Sequence, residues 1–244
     1  MTMPALLIES AYGEAAVTIP ETARSLAGFT RWAHSDGFPQ RGRIDFLGGR
    51  IELDMSPEDL YTHGALKTRL TQKLDSWIEA RDLGDLFVDC TRVRSDPADL
   101  SCEPDLVFIS HEAVEEGRVR LIEKAGDEFG RYVEIEGGPD IVVEIVSDSS
   151  VIKDTERLPR RYFNAGVREY WVLDARGEEL RFTIGRTDED TGGFVPSAGP
   201  SPEGEPWSGT LGASVSVTRR RGRRNRWVYQ VELEEIPRPR PSLE

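Results

Sequence analysis

The spacing of apolar residues predicts two amphipathic helices in the first third of the chain. Apolar residues recur three or four positions apart in residues 26–33, which predicts a short helix within residues 21–35. A longer helix is expected to begin at Ser56, whose next residue is a proline, and to end near Ala80. Its apolar stripe consists of Leu66, Leu70, Leu74, Trp77 and Ile78. The same pattern assigns Lys67 to the outer face of this helix.

Alternating and continuous apolar runs predict the strands. Residues 43–55, RIDFLGGRIELDM, alternate apolar and polar positions around a Gly-Gly pair, which is typical of a hairpin with a two-residue turn. The β-branched run IVVEIV, residues 141–146, predicts a strand covered on both faces. Further strands are expected in residues 86–94, 106–109, 117–136, 170–173, 180–184, 213–218 and 226–233. Residues 149–165 have helical composition, and Pro159 must kink that helix or start its second part.

These elements predict the fold class and the organisation of the chain. Two helices flank the apolar central strands, so we predict an α/β (α+β) fold with a mixed β-sheet, flanking helices and extra β-hairpins. An N-terminal arm of residues 1–20 precedes the expected core domain, residues 21–185. Residues 186–210 are rich in Gly, Pro, Asp, Glu and Ser, which predicts a loop or linker. Residues 211–244 are expected to form a C-terminal β-hairpin extension.

Composition restricts the class of protein. No window approaches 18 consecutive apolar residues, so no membrane span is expected. The N-terminus lacks the basic start and long apolar run of a secretory signal. The two cysteines, Cys90 and Cys102, fit a reducing compartment, and we therefore expect a cytoplasmic protein.

The charge of the chain is unevenly distributed. A net charge of −13 would repel a phosphate backbone if it were evenly spread. Six arginines nevertheless lie within eight residues: Arg219, Arg220, Arg221, Arg223, Arg224 and Arg226. Such a run is most often a solvated turn, whereas a local basic patch on an acidic protein is also able to bind nucleic acid. The sequence leaves both interpretations open.

An acidic residue interrupts the most apolar strand. Glu144 lies within IVVEIV, where an ionised carboxylate is costly unless a cation or hydrogen-bond donors meet it. Asp105 opens a second apolar run, in EPDLVFI. If the two strands are neighbours, both carboxylates could converge on a hard divalent cation, which prefers oxygen ligands. In the structural alternative, Glu144 pairs with a buried arginine and Asp105 makes a turn bond after Pro104.

Other chemistries have little support. The histidines, His34, His63 and His111, are scattered, and only His63 falls on the apolar side of a predicted helix. A core histidine is more frequent at such a position than a metal ligand. The sequence has no HxxxH or paired CxxC motif, which disfavours a zinc site. It also has no GxGxxG, Walker A or GxSxG motif, so dinucleotide, P-loop and hydrolase-elbow chemistry lack support.

Several segments, taken in order, resemble one family. They are GRIDFLGGRIELDMSP, EPDLVFIS, GGPDIVVEIVSDSS and RRYFNAGVREYWVLD. Over about residues 22–185 the chain resembles the Uma-type putative restriction endonucleases, bacterial domains of the PD-(D/E)XK nuclease superfamily. The resemblance implies a restriction-endonuclease-like fold and metal-dependent hydrolysis of phosphodiester bonds in DNA.

The resemblance also implies a metal site. By that resemblance, Asp105 and Glu144 would hold Mg²⁺ or Mn²⁺, with the carbonyl of Ile145 as a third ligand. The cation would polarise the scissile phosphate and lower the pKa of an attacking water. Glu52 and His63 match positions that the family places near the cleft and are weaker candidates.

The chain departs from the superfamily pattern at the catalytic lysine. The usual position, two residues after the acid, is Val146 here. The family's own position, four residues before the tyrosine that matches Tyr162, is Leu158. Lys153 and Arg157 are the candidate substitutes, although arginine cannot act as a base near neutral pH.

Three functional hypotheses follow. The first is a Mg²⁺- or Mn²⁺-dependent DNA endonuclease. The second is a catalytically inactive nuclease-fold protein that binds nucleic acid or another protein, which the missing lysine and the acidic surface favour. The third is a structural homodimer whose acid pair is an ion-pair site. DNA is the expected partner under the first hypothesis, and no membrane interaction is expected.

Overall fold

The strands are distributed over four sheets. The computed structural model describes residues 6–8, 17–126, 129–197, 199 and 206–235. Within these residues there are two six-stranded sheets, a two-stranded ribbon and a three-stranded sheet. The ribbon pairs β1 (Leu6–Ile8) with β2 (Val17–Ile19). The other residues of the predicted arm up to residue 16 lie outside the described part of the chain.

Two mixed sheets form the body of the described structure. Sheet I contains β3 (Arg43–Leu47), β4 (Arg50–Asp54), β6 (Arg92–Ser95), β7 (Leu100–Cys102), β9 (Val119–Glu123) and β10 (Tyr132–Gly137), in the order β4-β3-β7-β6-β10-β9. Sheet II contains β5 (Gly84–Val88), β8 (Leu106–Ser110), β11 (Ile141–Ile145), β12 (Glu169–Asp174), β13 (Arg181–Asp188) and β14 (Gly193–Pro196), in the order β14-β13-β12-β11-β8-β5. One pair in each sheet is parallel, β6 with β10 and β11 with β12. The predicted α+β class is confirmed, with two large sheets where one was expected.

The helices are short apart from one. They are α1 (Leu26–Ala33), α2 (Ala65–Glu79), α3 (His111–Glu115) and α4 (Leu158–Ala165). Two 3₁₀ turns, Glu21–Arg24 and Arg223–Asn225, and two π-helical turns, Leu60–Gly64 and Lys153–Arg157, complete the helical segments. None of the helices in the described residues is long and apolar enough to cross a lipid bilayer.

The main core lies around α2. The C-terminal sheet contains β15 (Trp207–Ser208), β16 (Ala213–Arg221) and β17 (Trp227–Glu235), which confirms the predicted hairpin. Leu70 and Leu74 of α2 are buried in one cluster with Val143 of β11 and Val215 of β16. Each fully buried leucine contributes about 1.5–3 kcal/mol through removal of apolar surface from water. Helix α2 therefore packs between sheet II and the C-terminal hairpin.

The long helix begins later than predicted. The Asp59 carboxylate accepts hydrogen bonds from the backbone N–H groups of Tyr61 at 2.8 Å and Thr62 at 2.6 Å. This N-cap starts the π-helical turn Leu60–Gly64, which leads directly into α2. Ser56 and its proline therefore lie before the helix, where they line an open cleft.

The predicted strand at residues 86–94 is two strands in different sheets. Asp89 and Cys90 have positive φ angles of 35° and 49°, which breaks the strand between β5 and β6. The chain thereby crosses from sheet II to sheet I beside the cleft. The expected domain border at residue 185 falls within β13, and residues 193–196 continue sheet II as β14. The division into domains stays a prediction.

The β3–β4 hairpin is confirmed and contacts α4 through its turn. Gly48 and Gly49 have φ angles of 59° and 78°, as the two-residue turn requires. A Cβ atom on Gly48 would overlap the Arg161 guanidinium. That guanidinium donates a hydrogen bond to the carbonyl of Ala98 at 2.6 Å. The turn therefore favours glycine for its backbone conformation, and a larger residue at position 48 would displace the Arg161 guanidinium.

Candidate active site

The two acids singled out in the sequence lie on neighbouring strands. Strands β8 and β11 are antiparallel, and the last pair of their register matches Leu106 with Val143. Asp105 and Glu144 are the next residues beyond that pair, and Asp105 immediately precedes β8. The Asp105 carboxylate also accepts a hydrogen bond from the backbone N–H of Ile145 at 2.6 Å. Both acids are fully buried.

Asp105 is surrounded by basic side chains. Its Oδ1 atom lies 2.9 Å from Nη2 of Arg43 and 3.1 Å from Nζ of Lys67. Its Oδ2 atom lies 3.4 Å from Nε2 of His63. Burial alone would raise the pKa of Asp105, but His63, Arg43 and Lys67 together lower that pKa far below its usual range. Asp105 is therefore ionised at neutral pH.

Glu144 has a different environment from Asp105. Tyr162 donates a hydrogen bond from its hydroxyl to Oε1 at 2.8 Å, whereas Oε2 is buried without a hydrogen-bond partner among the described residues. Burial raises the pKa of Glu144 well above its usual range, and the nearby negative charges of Asp154 and Asp105 raise it further. The structural alternative placed the buried arginine on Glu144, but Arg43 pairs with Asp105 instead.

Lys153 reaches the buried acids from the π-helical turn before α4. Its side chain is buried, and Nζ lies 3.1 Å from Oδ2 of Asp45. Burial alone would lower the pKa of Lys153, but the negative charges of Asp45 and Glu144 raise it above its usual value. The positive charge of Lys153 in turn opposes the rise in the pKa of Glu144. Lys153 is therefore a charged group close to the acid pair.

The two positions at which the resemblance predicts a lysine, Val146 and Leu158, are buried and apolar. Leu158 is fully buried in a cluster with Tyr162 and Val142. Val146 is also buried, and its backbone N–H bonds to the carbonyl of Leu173 at 2.9 Å. A charged side chain at either position would lie in an apolar environment, which is costly.

Sequence reasoning missed two cations of the site. The prediction that Lys67 lies on the outer face of the long helix was wrong, because the first turn of α2 covers the acid pair and leaves Lys67 only 6% exposed. Its Nζ also bonds to Glu58 at 3.0 Å and Asp89 at 2.6 Å. A signal was present in the sequence, since Lys67 follows His63 by four residues and so shares its helix face. Arg43, at the start of β3, offered no comparable signal.

The acid pair borders an open cleft of about 800 Å³. His63, Arg43 and Ile145 line it. Six acidic residues also line it: Asp54, Glu58, Asp59, Asp89, Glu103 and Asp148. Ligand atoms of Glu58, His63 and Asp105 lie within 4.8 Å of one another, close enough to hold a metal ion. The cleft is therefore predominantly acidic and suited to a cation.

Glu52 and Arg157 lie to one side of the acid pair. They form a salt bridge between β4 and the π-helical turn that precedes α4. With Arg50, Arg160 and Arg161 they line a groove of about 300 Å³. Glu52 also lines a depression of about 70 Å³ that includes Lys153, and that depression shares residues with the cleft. The predicted site residues thus fall into two groups, one at the acid pair and one along this arginine-lined groove.

The chain matches one family model over most of its length. The model is that of the Uma2 family, described as putative restriction endonuclease, and it matches residues 26–217. The match stops short of the arginine run. No curated protein matches the chain. A crystal structure described as a putative nuclease from Anabaena variabilis is 15% identical, with a TM-score of 0.48, and the match covers 73% of this chain and 89% of that one. The family match extends over much more than half of the chain, and the chain therefore belongs to the Uma2 family of putative restriction endonucleases.

Proposed function

We propose that this protein is a divalent-metal-dependent nuclease that hydrolyses phosphodiester bonds in DNA. One observation carries the proposal: Oε2 of Glu144 is buried without a hydrogen-bond partner among the described residues, and the N–H of the next residue, Ile145, bonds to the buried Asp105 carboxylate. A buried polar atom left unpaired costs free energy, so such an atom in a native structure calls for an explanation. A bound cation would provide the missing partner.

The residues present fit a hard divalent cation. Asp105 is kept ionised, Glu144 has an unused oxygen, and the cleft beside them is lined by further carboxylates. Asp105, Glu144 and the carbonyl of Ile145 would hold Mg²⁺ or Mn²⁺, which prefer oxygen ligands. A divalent ion bound there would supply Lewis-acid polarisation of the scissile phosphate and a more acidic water.

The protein's own groups would carry out the remaining tasks. Lys153, whose pKa is raised by the negative charges of Asp45 and Glu144, keeps its positive charge and would stabilise the negative charge that develops on the phosphate. Arg43 and Lys67 hold Asp105 in its ionised form. His63 lies between Asp105 and Glu58, with Nδ1 3.1 Å from Oε2 of Glu58, and is positioned to fix the Asp105 carboxylate.

A plasmid-cleavage assay tests this function. Supercoiled DNA is incubated with the wild type, Glu144→Gln or Glu52→Gln in Mg²⁺, Mn²⁺ or EDTA, and thermal melts are recorded with the same ions. We expect wild type and Glu52→Gln to cut only with a divalent ion, and Glu144→Gln to lose both cleavage and the ion-induced rise in Tm. A wild type that neither cuts nor gains stability with either ion contradicts the proposal.

A non-catalytic binding protein is the second candidate. It is favoured by Leu158, which occupies the family's lysine position in the apolar core, and by the cations that already contact both oxygens of Asp105. Under this alternative the wild type binds DNA or a protein without cutting, and melts with Mg²⁺ or Mn²⁺ coincide with melts in EDTA.

A further inference from the structure

The arginine run forms the tip of the C-terminal hairpin. It occupies the end of β16, the 3₁₀ turn Arg223–Asn225 and the residue before β17. Arg224 and Asn225 have φ angles of 57° and 56°, a left-handed conformation that asparagine adopts readily and arginine rarely does. The backbone at the tip therefore forms a tight turn that displays arginines to solvent.

Two arginines of the run anchor the tip to the body of the protein. The guanidinium of Arg219 bonds to the carbonyls of Ala175 and Gly177, and that of Arg221 lies 3.2 Å from the Glu178 carboxylate. These two guanidiniums also lie 3.9 Å and 3.4 Å from the ring centre of Trp227. The anchored side chains fix the orientation of the hairpin against the turn between β12 and β13.

Four arginines of the tip remain available to a partner. They are Arg220, Arg223, Arg224 and Arg226, all of them exposed. Within the described part of the chain none of these four side chains has a carboxylate partner, although the sequence carries 44 acidic residues. Unpaired like charges repel one another, so their clustering is unfavourable for the isolated protein. A polyanion with closely spaced charges would remove that repulsion.

The base of the arginine tip contacts the chain segment that borders the cleft. Ala175 and Gly177, which accept hydrogen bonds from Arg219, flank Arg176, and Arg176 lines the cleft of the acid pair. The cleft itself carries six acidic side chains and therefore repels a phosphodiester. Affinity for a nucleic acid must come from basic groups outside the cleft, and the arginine tip is a dense group of this kind at its edge.

We propose that the arginine tip of the β16–β17 hairpin is the backbone-binding arm that holds double-stranded DNA over the cleft. This proposal rests on the proposed function for the identity of the substrate. The four exposed guanidiniums would contact phosphates, without selecting a base sequence. Each phosphate contact releases counterions, so its loss lowers the slope of log affinity against log salt concentration by about 1.

The test measures DNA binding separately from cleavage. The cleavage-deficient Glu144→Gln protein provides the background, and a labelled 30-base-pair duplex is titrated in EDTA while fluorescence anisotropy is recorded at several salt concentrations. Arg223→Gln/Arg224→Gln is compared with a charge-matched control, Arg24→Gln/Arg31→Gln, in which the altered arginines are exposed and belong to the 3₁₀ turn Glu21–Arg24 and to α1. Since one released counterion contributes roughly eightfold in affinity at about 0.1 M salt, the tip variant is expected to bind at least tenfold more weakly. Its salt slope should fall by about 2.

The outcomes separate this proposal from the proposed function. Equal affinity and equal salt slopes for the tip variant and the control would overturn the role of the arginine tip, and wild-type cleavage in the plasmid assay would still support the nuclease. Tip-dependent binding without wild-type cleavage would support the arm and contradict the nuclease. A third outcome is that the protein binds vesicles of anionic lipid through the tip arginines and does not bind the duplex. The partner would then be a membrane surface, and the proposal of a DNA-binding arm would be wrong.

Discussion

Replacing Asp154 with asparagine is expected to stabilise the folded protein near neutral pH. The Asp154 carboxylate is buried, and Oδ1 has no hydrogen-bond partner among the described residues. Its Oδ2 accepts a hydrogen bond from the Ser150 hydroxyl. Burial raises the pKa of Asp154 from 3.8 to about 6, in spite of the opposing positive charge of Lys153. Asparagine keeps the shape of the side chain and removes the buried charge.

The magnitude follows from the difference between the folded and unfolded pKa values. Between pH 3.8 and about 6 the folded protein holds the Asp154 proton more tightly than the unfolded chain does. The free energy of unfolding therefore falls as the pH rises through this range, and the loss is complete above about pH 6. A difference of about two pH units, at about 1.4 kcal/mol for each, corresponds to about 3 kcal/mol. At pH 4 most of this loss is absent.

The assay is urea unfolding in EDTA between pH 4 and pH 8. Asp148→Asn is the control, because the Asp148 side chain is 96% exposed. We expect Asp154→Asn to match the wild type near pH 4 and to exceed it by up to about 3 kcal/mol above pH 6, equivalent to roughly 6–12 °C in Tm for a chain of this size. If Asp154→Asn is less stable than the wild type at pH 7, or if the difference does not vary with pH, Asp154 acts as a stabilising ion-pair partner of Lys153 and this reasoning is wrong.

Three further predictions test the site and its supports. Lys153→Ala should lower the cleavage rate in the plasmid assay by about 100-fold or more, because the electrostatic influence of Lys153 extends to Glu144. Arg157→Ala should lower the rate by less than about tenfold, because Arg157 pairs with Glu52. Equal effects would contradict the assignment of Lys153. Gly48→Ala should destabilise the protein by about 1–3 kcal/mol in urea unfolding, since its φ angle is positive and its Cβ would meet the Arg161 guanidinium. Leu158→Ala should cost about 2–5 kcal/mol by the same measurement, as expected for a fully buried leucine; a cost below about 1 kcal/mol would show that the position is not tightly packed.

The sequence predicted those parts of the fold that local patterns determine. The Gly-Gly pair at position 48 specified a hairpin, because only a two-residue turn with positive φ angles joins strands so closely. The apolar run of residues 141–146 specified a strand buried on both faces. Glu144 stood out within that strand because a carboxylate is costly there. These inferences needed no knowledge of which strands are neighbours.

Local patterns could not predict which strands pair or which basic side chains reach Asp105. Asp105 meets Glu144 because β8 and β11 pair in one particular register, and no local pattern encodes that pairing. Arg43 reaches Asp105 across 62 residues of sequence, from a different sheet. Helical periodicity predicted Lys67 on the outer face of the long helix, because periodicity separates apolar from polar faces only. It does not show where a polar cleft buries part of the polar face.

The charge balance of the site explains how a nuclease-like cleft tolerates an apolar residue at the family's lysine position. Among the described residues, four buried carboxylates, those of Asp45, Asp105, Glu144 and Asp154, face the buried lysines Lys67 and Lys153 and the partly buried Arg43. Burial raises the pKa values of Glu144 and Asp154, which favours neutralisation of their charge by a proton. A cation can neutralise the same charge. Lys67 and Lys153 already bring positive charge to the acids from other helical segments, whereas a lysine at position 158 would place a further charge in the apolar cluster of Tyr162 and Val142.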